Sequence, residues 1–255
     1  MIGLIHHRRC ADLLATGFLI LALSVGLFAS ASASEVINNH INERLQTLLP
    51  DMEGVSVSAT PMDGLFEVRI GSELVYISED GRYLVQGRLI DLDTQRDLTD
   101  ASMSELRQDQ LAALDRSELI TFGATDPVHE VLVFTDPDCG FCRRLHEQVD
   151  GYAEAGIQIH YLAFPRAGLG SPTYDTLVSV WCAEDQRAAM DAAKAGRRLP
   201  AAHCDHPVED HYQLGQALGV TGTPALVTEG GAVIPGFVPP EQLRSRLDNL
   251  ANSAR

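Results

Sequence analysis

The sequence predicts an α/β protein with two folded parts: a C-terminal domain that contains a helical insertion, and a small N-terminal α+β domain joined to it by a linker helix. Three observations lead to this prediction. A β-branched apolar run from Val131 ends at a turn and continues into a helical pattern that carries Cys139 and Cys142. Another strand pattern follows that helix, and two strands connected in this way pair in parallel with a right-handed crossover. Short alternating segments between residues 55 and 92 predict an antiparallel meander.

Residues 1–33 have the pattern of a signal peptide. Arg8 and Arg9 precede an apolar stretch over residues 13–29, and small residues at Ala31 and Ala33 provide a cleavage site. We therefore expect a cleaved segment and an exported mature protein. An uncleaved membrane anchor is the alternative, because the apolar stretch is long enough to span a bilayer. The formal net charge of −16 argues against a nucleic-acid partner.

Residues 34–98 are assigned to the N-terminal domain. A helical pattern begins near Glu35 and ends near Pro50, and Asp80-Gly81 predicts a tight hairpin. The predicted strands are residues 55–59, 65–70, 74–78 and 83–92. A module of this size buries too little surface to be comfortably stable alone, so we expect an exposed sheet edge to pair with a second copy. Packing onto its own chain is the alternative.

The linker helix is assigned to residues 99–118. Ser102 and Glu105 have the spacing of a capping box at its start. The apolar stripe that follows is incomplete, which predicts a partly exposed helix. Residues 119–255 then form the C-terminal domain.

Cys139-Gly-Phe-Cys142 stands at the start of the helix that follows the Val131 strand. The first turn of a helix has unpaired N–H groups and a positive dipole end, which stabilise a thiolate. We therefore expect Cys139 to be an exposed nucleophile and Cys142, one turn deeper, to resolve a mixed disulfide. Arg143 excludes a c-type haem, which requires histidine after the second cysteine.

Two alternatives for this motif remain open. The pair could be half of a zinc site completed by Cys182, His203 and Cys204, although a zinc knuckle normally lies on a turn between short strands. It could also be an inert structural disulfide, although so short a loop removes little chain entropy. We expect no metal and no cofactor.

Residues 171–219 are mostly helical in pattern and contain the other two cysteines of the mature chain. Cys182 and Cys204 lie inside helical patterns and not at a strand-to-helix turn, which favours a structural disulfide between them in an exported protein. Closing that loop would stabilise the fold by roughly 3 kcal/mol in the chain-entropy model.

The segment from Val220 contains Thr223-Pro224 at the head of a short apolar strand. Proline lacks an N–H group and therefore marks a strand edge, and the bond before it is where a cis peptide costs least. A hairpin partner and a last helix beginning at Pro239-Pro240 complete the pattern.

The chain resembles the periplasmic disulfide isomerases DsbC and DsbG, whose catalytic domain has the thioredoxin fold. The resemblance rests on motifs that occur in order along the mature chain: FTDxxCGxCxxLHEQ, YLAFPRxG, WCA, DHYxLGxxLGVxGTPA and PGFxPP. It implies that Cys139 attacks substrate disulfides, that Cys142 resolves, and that Thr223 and cis-Pro224 hold the substrate strand. It also implies a disulfide between Cys182 and Cys204.

The expected function is therefore a periplasmic isomerase or reductase of misfolded secreted proteins with disulfides, with possible chaperone activity. The resemblance further implies a V-shaped homodimer with an uncharged cleft, kept reduced by a membrane thiol reductant of the DsbD type. A dithiol oxidase of the DsbA kind and a non-enzymatic holdase that uses the dimer cleft are the alternatives. Cytosolic thioredoxins have a buried aspartate where this chain has Val133, so no base is expected at that position for the resolving proton.

Overall fold

The computed structural model describes residues 38–47 and 54–253. Their contacts divide into two compact units, with the boundary between Gly87 and Arg88. The predicted signal peptide, residues 1–33, lies outside the described residues, and so do both ends of the first predicted helix. Within the described ranges, no helix is long and apolar enough to cross a membrane.

The described part of the N-terminal unit contains one helix and one antiparallel sheet. Helix α1 covers residues 38–47. The strands pair in the order β1-β2-β3-β4 and are β1 (Val55–Ala59), β2 (Leu65–Ile70), β3 (Glu73–Ser78) and β4 (Leu84–Val85). One apolar cluster joins helix and sheet and contains Ile41, Leu45, Phe66, Val68, Val75 and Ile77. The helical and alternating patterns therefore meet in one small core, as burial of both apolar faces requires.

The predicted strand 83–92 is wrong. Of this segment, only the two residues of β4 pair within the first sheet. After Gly87 the chain forms a separate hairpin of β5 (Ile90–Asp91) and β6 (Arg96–Asp97). Glycine has no side chain to pack and weakens a strand interior, so the break at Gly87 has a local cause.

Helix α2 (Leu98–Ala112) begins earlier than the predicted capping box. Its N-cap is Asp97, whose carboxylate accepts the Asp100 N–H group at 2.8 Å. Aspartate is among the preferred N-cap residues, and its bond satisfies one of the free donors of the first turn. Ser102 and Glu105 consequently lie inside the helix. None of the residues of α2 is buried, in agreement with its thin apolar stripe.

Polar contacts nevertheless hold α2 against the C-terminal sheet. The Arg107 guanidinium donates to the carbonyls of Leu218 (3.2 Å) and Gly231 (3.3 Å), and the Gln108 amide donates to Gly230 O at 2.8 Å. Gly231 has φ +75°, and a Cβ there would lie only 2.2 Å from Ser104 O. The turn after β10 therefore requires glycine for the helix to approach this closely.

The C-terminal unit is built on a five-stranded sheet in the order β11-β10-β8-β9-β7. Its strands are β7 (Ile120–Gly123), β8 (His129–Thr135), β9 (Ile157–Ala163), β10 (Ala225–Thr228) and β11 (Val233–Pro235). Strands β8 and β9 are parallel, and the other pairs are antiparallel. The parallel pair confirms the predicted crossover unit. The antiparallel pairing of β10 with β8 places the start of β10 beside the end of β8, where the cysteine motif follows.

The connection between β8 and β9 contains two short helices instead of the one predicted. Helix α3 (Gly140–His146) ends where Gln148 N–H bonds to Leu145 O at 3.1 Å, a tighter turn than an α-helix makes. Helix α4 (Val149–Glu154) follows. Cys142, Leu145 and Tyr152 remain on the buried side.

The helical insertion lies between β9 and β10, and a final helix follows β11. The insertion contains helices α5 (Pro172–Trp181), α6 (Gln186–Lys194) and α7 (Val208–Ala217). The final helix is α8 (Pro240–Ser253). Trp181 is buried, and its indole N–H donates to Glu118 O at 2.8 Å. This bond links the insertion to the short 3₁₀ turn (Arg116–Glu118) before β7.

Replacing Gly215 by alanine is expected to destabilise the protein by about 1–2 kcal/mol. Helix propensity alone favours alanine by about 1 kcal/mol. However, a Cβ on Gly215 in α7 would lie 2.6 Å from the Phe164 ring and 3.0 Å from the Phe134 ring, so overpacking outweighs the propensity. Urea unfolding measures the difference. Gln213→Ala on the exposed side of α7 is the control, and a Gly215→Ala protein as stable as this control would contradict the prediction.

Candidate active site

Cys139 lies at the junction between β8 and α3, where it is the N-cap residue of the helix. Asp136 shapes the loop before it. Asp136 is 1% exposed, and its carboxylate accepts the Asp138 N–H group at 2.7 Å. Its main-chain carbonyl accepts the Cys139 N–H group at 3.2 Å. The Arg166 main chain and guanidinium also donate to this carboxylate, at 3.0 and 3.1 Å. The loop that presents Cys139 is therefore held from both sides.

The expectation of an exposed nucleophile is wrong, because only 3% of Cys139 is exposed. Its thiol donates to Thr223 O at 3.1 Å, so the loop before β10 covers it. Burial acts to raise the pKa of Cys139, but hydrogen bonding with Thr223 and Cys142, together with the charge of Arg166, outweighs burial and lowers that pKa. The thiolate form of Cys139 is thus favoured although the Thr223 loop shields the sulfur from solvent.

The Thr223 side chain accounts for part of this preference. In the thiol form, Cys139 donates to the main-chain carbonyl of Thr223, while hydrogen bonding from the buried Thr223 hydroxyl acts to lower the pKa of both Cys139 and Cys142. A thiolate can only accept hydrogen bonds, so this hydroxyl is the donor available once Cys139 ionises. The peptide bond between Thr223 and Pro224 is cis.

Cys142 differs from Cys139 in its surroundings. It is fully buried, and burial raises the pKa of its thiol, although the Lys194 charge and hydrogen bonds with Thr223, Asp136 and Thr135 offset part of this effect. The two cysteines are free thiols in the structure. The site therefore contains one thiol whose pKa is lowered and one whose pKa is raised.

Lys194 is the residue of this site that the sequence analysis missed. It is 4% exposed, and its ammonium donates to Thr135 Oγ1 at 2.5 Å and to Asp136 O at 3.2 Å. A signal was available, because Lys194 is the one lysine in the sequence and follows Met190 by four residues on the apolar face of α6. Val133 is buried in β8, as the sequence suggested, so the ionisable partner comes from the insertion instead.

Cys182 and Cys204 form a disulfide, with their Cα atoms 5.6 Å apart. Cys182 is the C-cap of α5, whereas Cys204 lies in the loop before α7 and not in a helix, contrary to the predicted pattern. The bond joins the ends of the segment that contains α6. It also occupies the two sulfurs that the zinc alternative required, and the described residues contain no group of three or more His, Cys, Asp or Glu side chains placed to hold a metal ion.

Comparison with known proteins assigns both parts of the chain to families. Residues 117–251 match the thioredoxin-like domain, and residues 28–100 match the disulfide bond isomerase protein N-terminal domain. The thiol:disulfide interchange protein DsbC of Salmonella typhimurium is 39% identical over 197 residues, which are 77% of this chain and 82% of that protein. DsbC of Escherichia coli K12 is 35% identical over 232 residues, which are 91% of this chain and 95% of that protein.

Among solved structures, a disulfide interchange protein from Neisseria gonorrhoeae is similar at 29% sequence identity with a TM-score of 0.47. The match covers 53% of this chain and 97% of that one.

Proposed function

The chain belongs to the DsbC family of thiol:disulfide interchange proteins, and from this premise we propose that Cys139 and Cys142 rearrange wrong disulfides in secreted proteins. The protein is a thiol-disulfide oxidoreductase of the protein disulfide isomerase type. One observation carries the assignment of roles: Cys139 is the N-cap of α3 and has a lowered pKa, whereas Cys142 is fully buried inside that helix and has a raised pKa. Since the thiolate is the attacking species, Cys139 attacks the substrate and Cys142 acts later as the resolving cysteine.

The reaction begins when the Cys139 thiolate attacks one sulfur of a substrate disulfide. A bond between Cys139 and that sulfur forms, the substrate disulfide breaks, and the second substrate sulfur leaves as a thiolate with the electron pair. In isomerisation, another substrate thiolate then attacks the mixed disulfide and restores the Cys139 thiolate. No electrons are gained or lost overall, so this route needs no cofactor.

A second route releases a reduced substrate. Cys142 attacks Cys139, the enzyme disulfide forms, and the two electrons of the dithiol pass to the substrate. An external dithiol must then reduce the enzyme again. We assign this role to a membrane thiol reductant of the DsbD type in the periplasm, to which the predicted signal peptide would direct the chain.

Thr223 and Pro224 are proposed to hold the substrate strand. Thr223 O accepts the Cys139 thiol at 3.1 Å, so a chain that reacts at Cys139 must pass this loop. Pro224 has no N–H group, and it precedes β10 directly. A substrate strand that paired with the Thr223 main chain would therefore bring its sulfur to Cys139 by β-strand addition.

The N-terminal unit supports assembly into a homodimer. Among the described residues, strand β4 pairs with β3 alone, and Tyr83, Leu84 and Val85 around it are 60%, 57% and 51% exposed. A sheet edge lined with apolar side chains is a surface on which a second copy can pair.

The test is refolding of a scrambled multi-disulfide protein in a glutathione buffer, with catalytic amounts of the reduced enzyme. We expect faster recovery of native disulfides than with glutathione alone. Scoring aggregation in the same samples separates catalysis from a holdase effect. An enzyme that forms disulfides in a reduced substrate but does not correct scrambled ones would favour the oxidase alternative, and no acceleration at all would reject the proposal.

A further inference from the structure

All but one of the lysine and arginine residues of this chain are arginine. Of 19 such residues, Lys194 alone is lysine, and it is 4% exposed. Arginine stays protonated in proteins, whereas a buried lysine readily loses its proton. A general preference of this chain for arginine does not explain a single lysine at a buried position. The exception therefore indicates a role that requires a side chain able to lose its proton, which arginine is not.

Lys194 shares its surroundings with Cys142. Its ammonium contacts Thr135 Oγ1 and Asp136 O, and Thr135 and Asp136 also interact with the Cys142 sulfur. The pKa of Lys194 is lowered to about 8, because burial outweighs the charge of Cys142, which acts to raise it. Burial raises the pKa of Cys142, and Lys194 acts to lower it. The two groups therefore titrate as a coupled pair.

Other titratable groups also face Lys194 from the elements packed around it. They are Asp136 and Cys139 at the end of β8, Cys142, Arg143 and His146 on α3, and Tyr161 on β9. The Asp136 carboxylate is already paired with Arg166, and His146 lies 2.9 Å from the Asp191 carboxylate. The Arg166 guanidinium is thus shared between Asp136 and the two cysteines, and among the described residues Lys194 is the cation that acts most strongly on Cys142.

We propose that Lys194 accepts the proton of Cys142 and acts as the countercharge of its thiolate when Cys142 resolves the mixed disulfide. This inference rests on the roles proposed above for the two cysteines. Because the pKa of Lys194 is about 8, its ammonium exchanges a proton with water near neutral pH. Once the amine is neutral, moving the Cys142 proton from sulfur to nitrogen creates the nucleophile without changing the total charge of the buried site. A net charge introduced at this depth would be costly.

The step balances as follows in atoms and electrons. The Cys142 proton passes to the neutral Lys194 amine, and the thiolate attacks the Cys139 sulfur. The Cys139–Cys142 bond forms and the bond to the substrate breaks, with its electron pair leaving on the substrate sulfur, which takes a proton from water. Lys194 then returns its proton to water, because the thiolate that stabilised the ammonium has been consumed.

The first test titrates Lys194 directly. Because the chain has one lysine, protein grown with ¹³C-labelled lysine has one lysine side-chain NMR signal. We expect its pKa well below the ordinary value of about 10.4. We also expect it to be lower by at least about half a unit in the oxidised protein and in Cys142→Ser, because both lack the thiolate. An ordinary pKa, or the same pKa in all three forms, would overturn the proposal.

The second test follows the two thiols by rapid mixing of the reduced enzyme with 5,5′-dithiobis(2-nitrobenzoate). Cys139 releases one yellow thiolate as it forms a mixed disulfide, and Cys142 releases the second as it closes the enzyme disulfide. In Lys194→Met we expect the second phase to slow by about tenfold or more at pH 7 and to recover at high pH, because a shift of one unit changes the thiolate fraction tenfold. The first phase should change little.

Arg198→Met is the matched control, since it removes an exposed cation four residues further along the chain. A second phase with the parent pH profile in Lys194→Met would reject the inference. If Lys194→Met does not fold, the NMR titration of the parent and Cys142→Ser still decides. Coupled titration of Lys194 and Cys142 without faster refolding would keep this inference and reject the proposed function. Faster refolding without coupled titration would keep the proposed function and reject this inference.

Discussion

Replacing Cys139 by serine is expected to reduce the refolding rate of a scrambled multi-disulfide protein to that of the glutathione buffer alone. The serine hydroxyl does not ionise near neutral pH, so neither the attack nor the mixed disulfide can occur. Cys142 cannot take over, because it is fully buried and its pKa is raised. The measurement is the recovery of native substrate activity with equal amounts of parent and variant.

Cys142→Ser provides the comparison for this prediction. It retains the attacking thiol, so we expect it to form mixed disulfides and to release them only when a substrate thiol attacks. Alkylation of Cys139 in this variant should slow as the pH falls through a midpoint below the ordinary thiol value of about 8.5, because the pKa of Cys139 is lowered. Substantial refolding activity in Cys139→Ser would contradict the assignment of the nucleophile.

Removing the second cysteine pair, by Cys182→Ala together with Cys204→Ala, is expected to lower the free energy of unfolding by roughly 3 kcal/mol. The bond joins residues separated by 22 positions and encloses α6, so its loss returns chain entropy to the unfolded state. This is a large part of the 5–15 kcal/mol that typical domains have. Urea unfolding in an oxidising buffer measures the change.

Strong reductant supplies the control for this stability prediction. The parent in reductant should unfold at the same urea concentration as the double variant, while the double variant should not respond to reductant. Because Lys194 is at the end of the enclosed helix, a loosened segment should also slow the second phase of the thiol reaction. Equal stability of parent and double variant in oxidising buffer would contradict the prediction.

The crossover unit and the order of the cysteine motif could be predicted because each depends on neighbours in sequence. Strand periodicity around Val131 and the position of Cys139 at a helix start are local properties, and both are present in the structure. The errors have local causes as well. Gly87 interrupts a predicted strand, and Asp97 begins α2 ahead of the predicted capping box.

The sequence by itself determined the attacking and resolving thiols as candidates, the two-part α/β organisation and the family. Only the tertiary structure decided that the Thr223 loop covers Cys139, that Arg166 holds the loop through Asp136, and that Lys194 lies beside the Thr135 and Cys142 groups. The physical reason is that these contacts join residues 30 to 84 positions apart. Apolar periodicity shows which face of a helix is buried, but it does not show which charged group the fold will enclose or what that group will meet there.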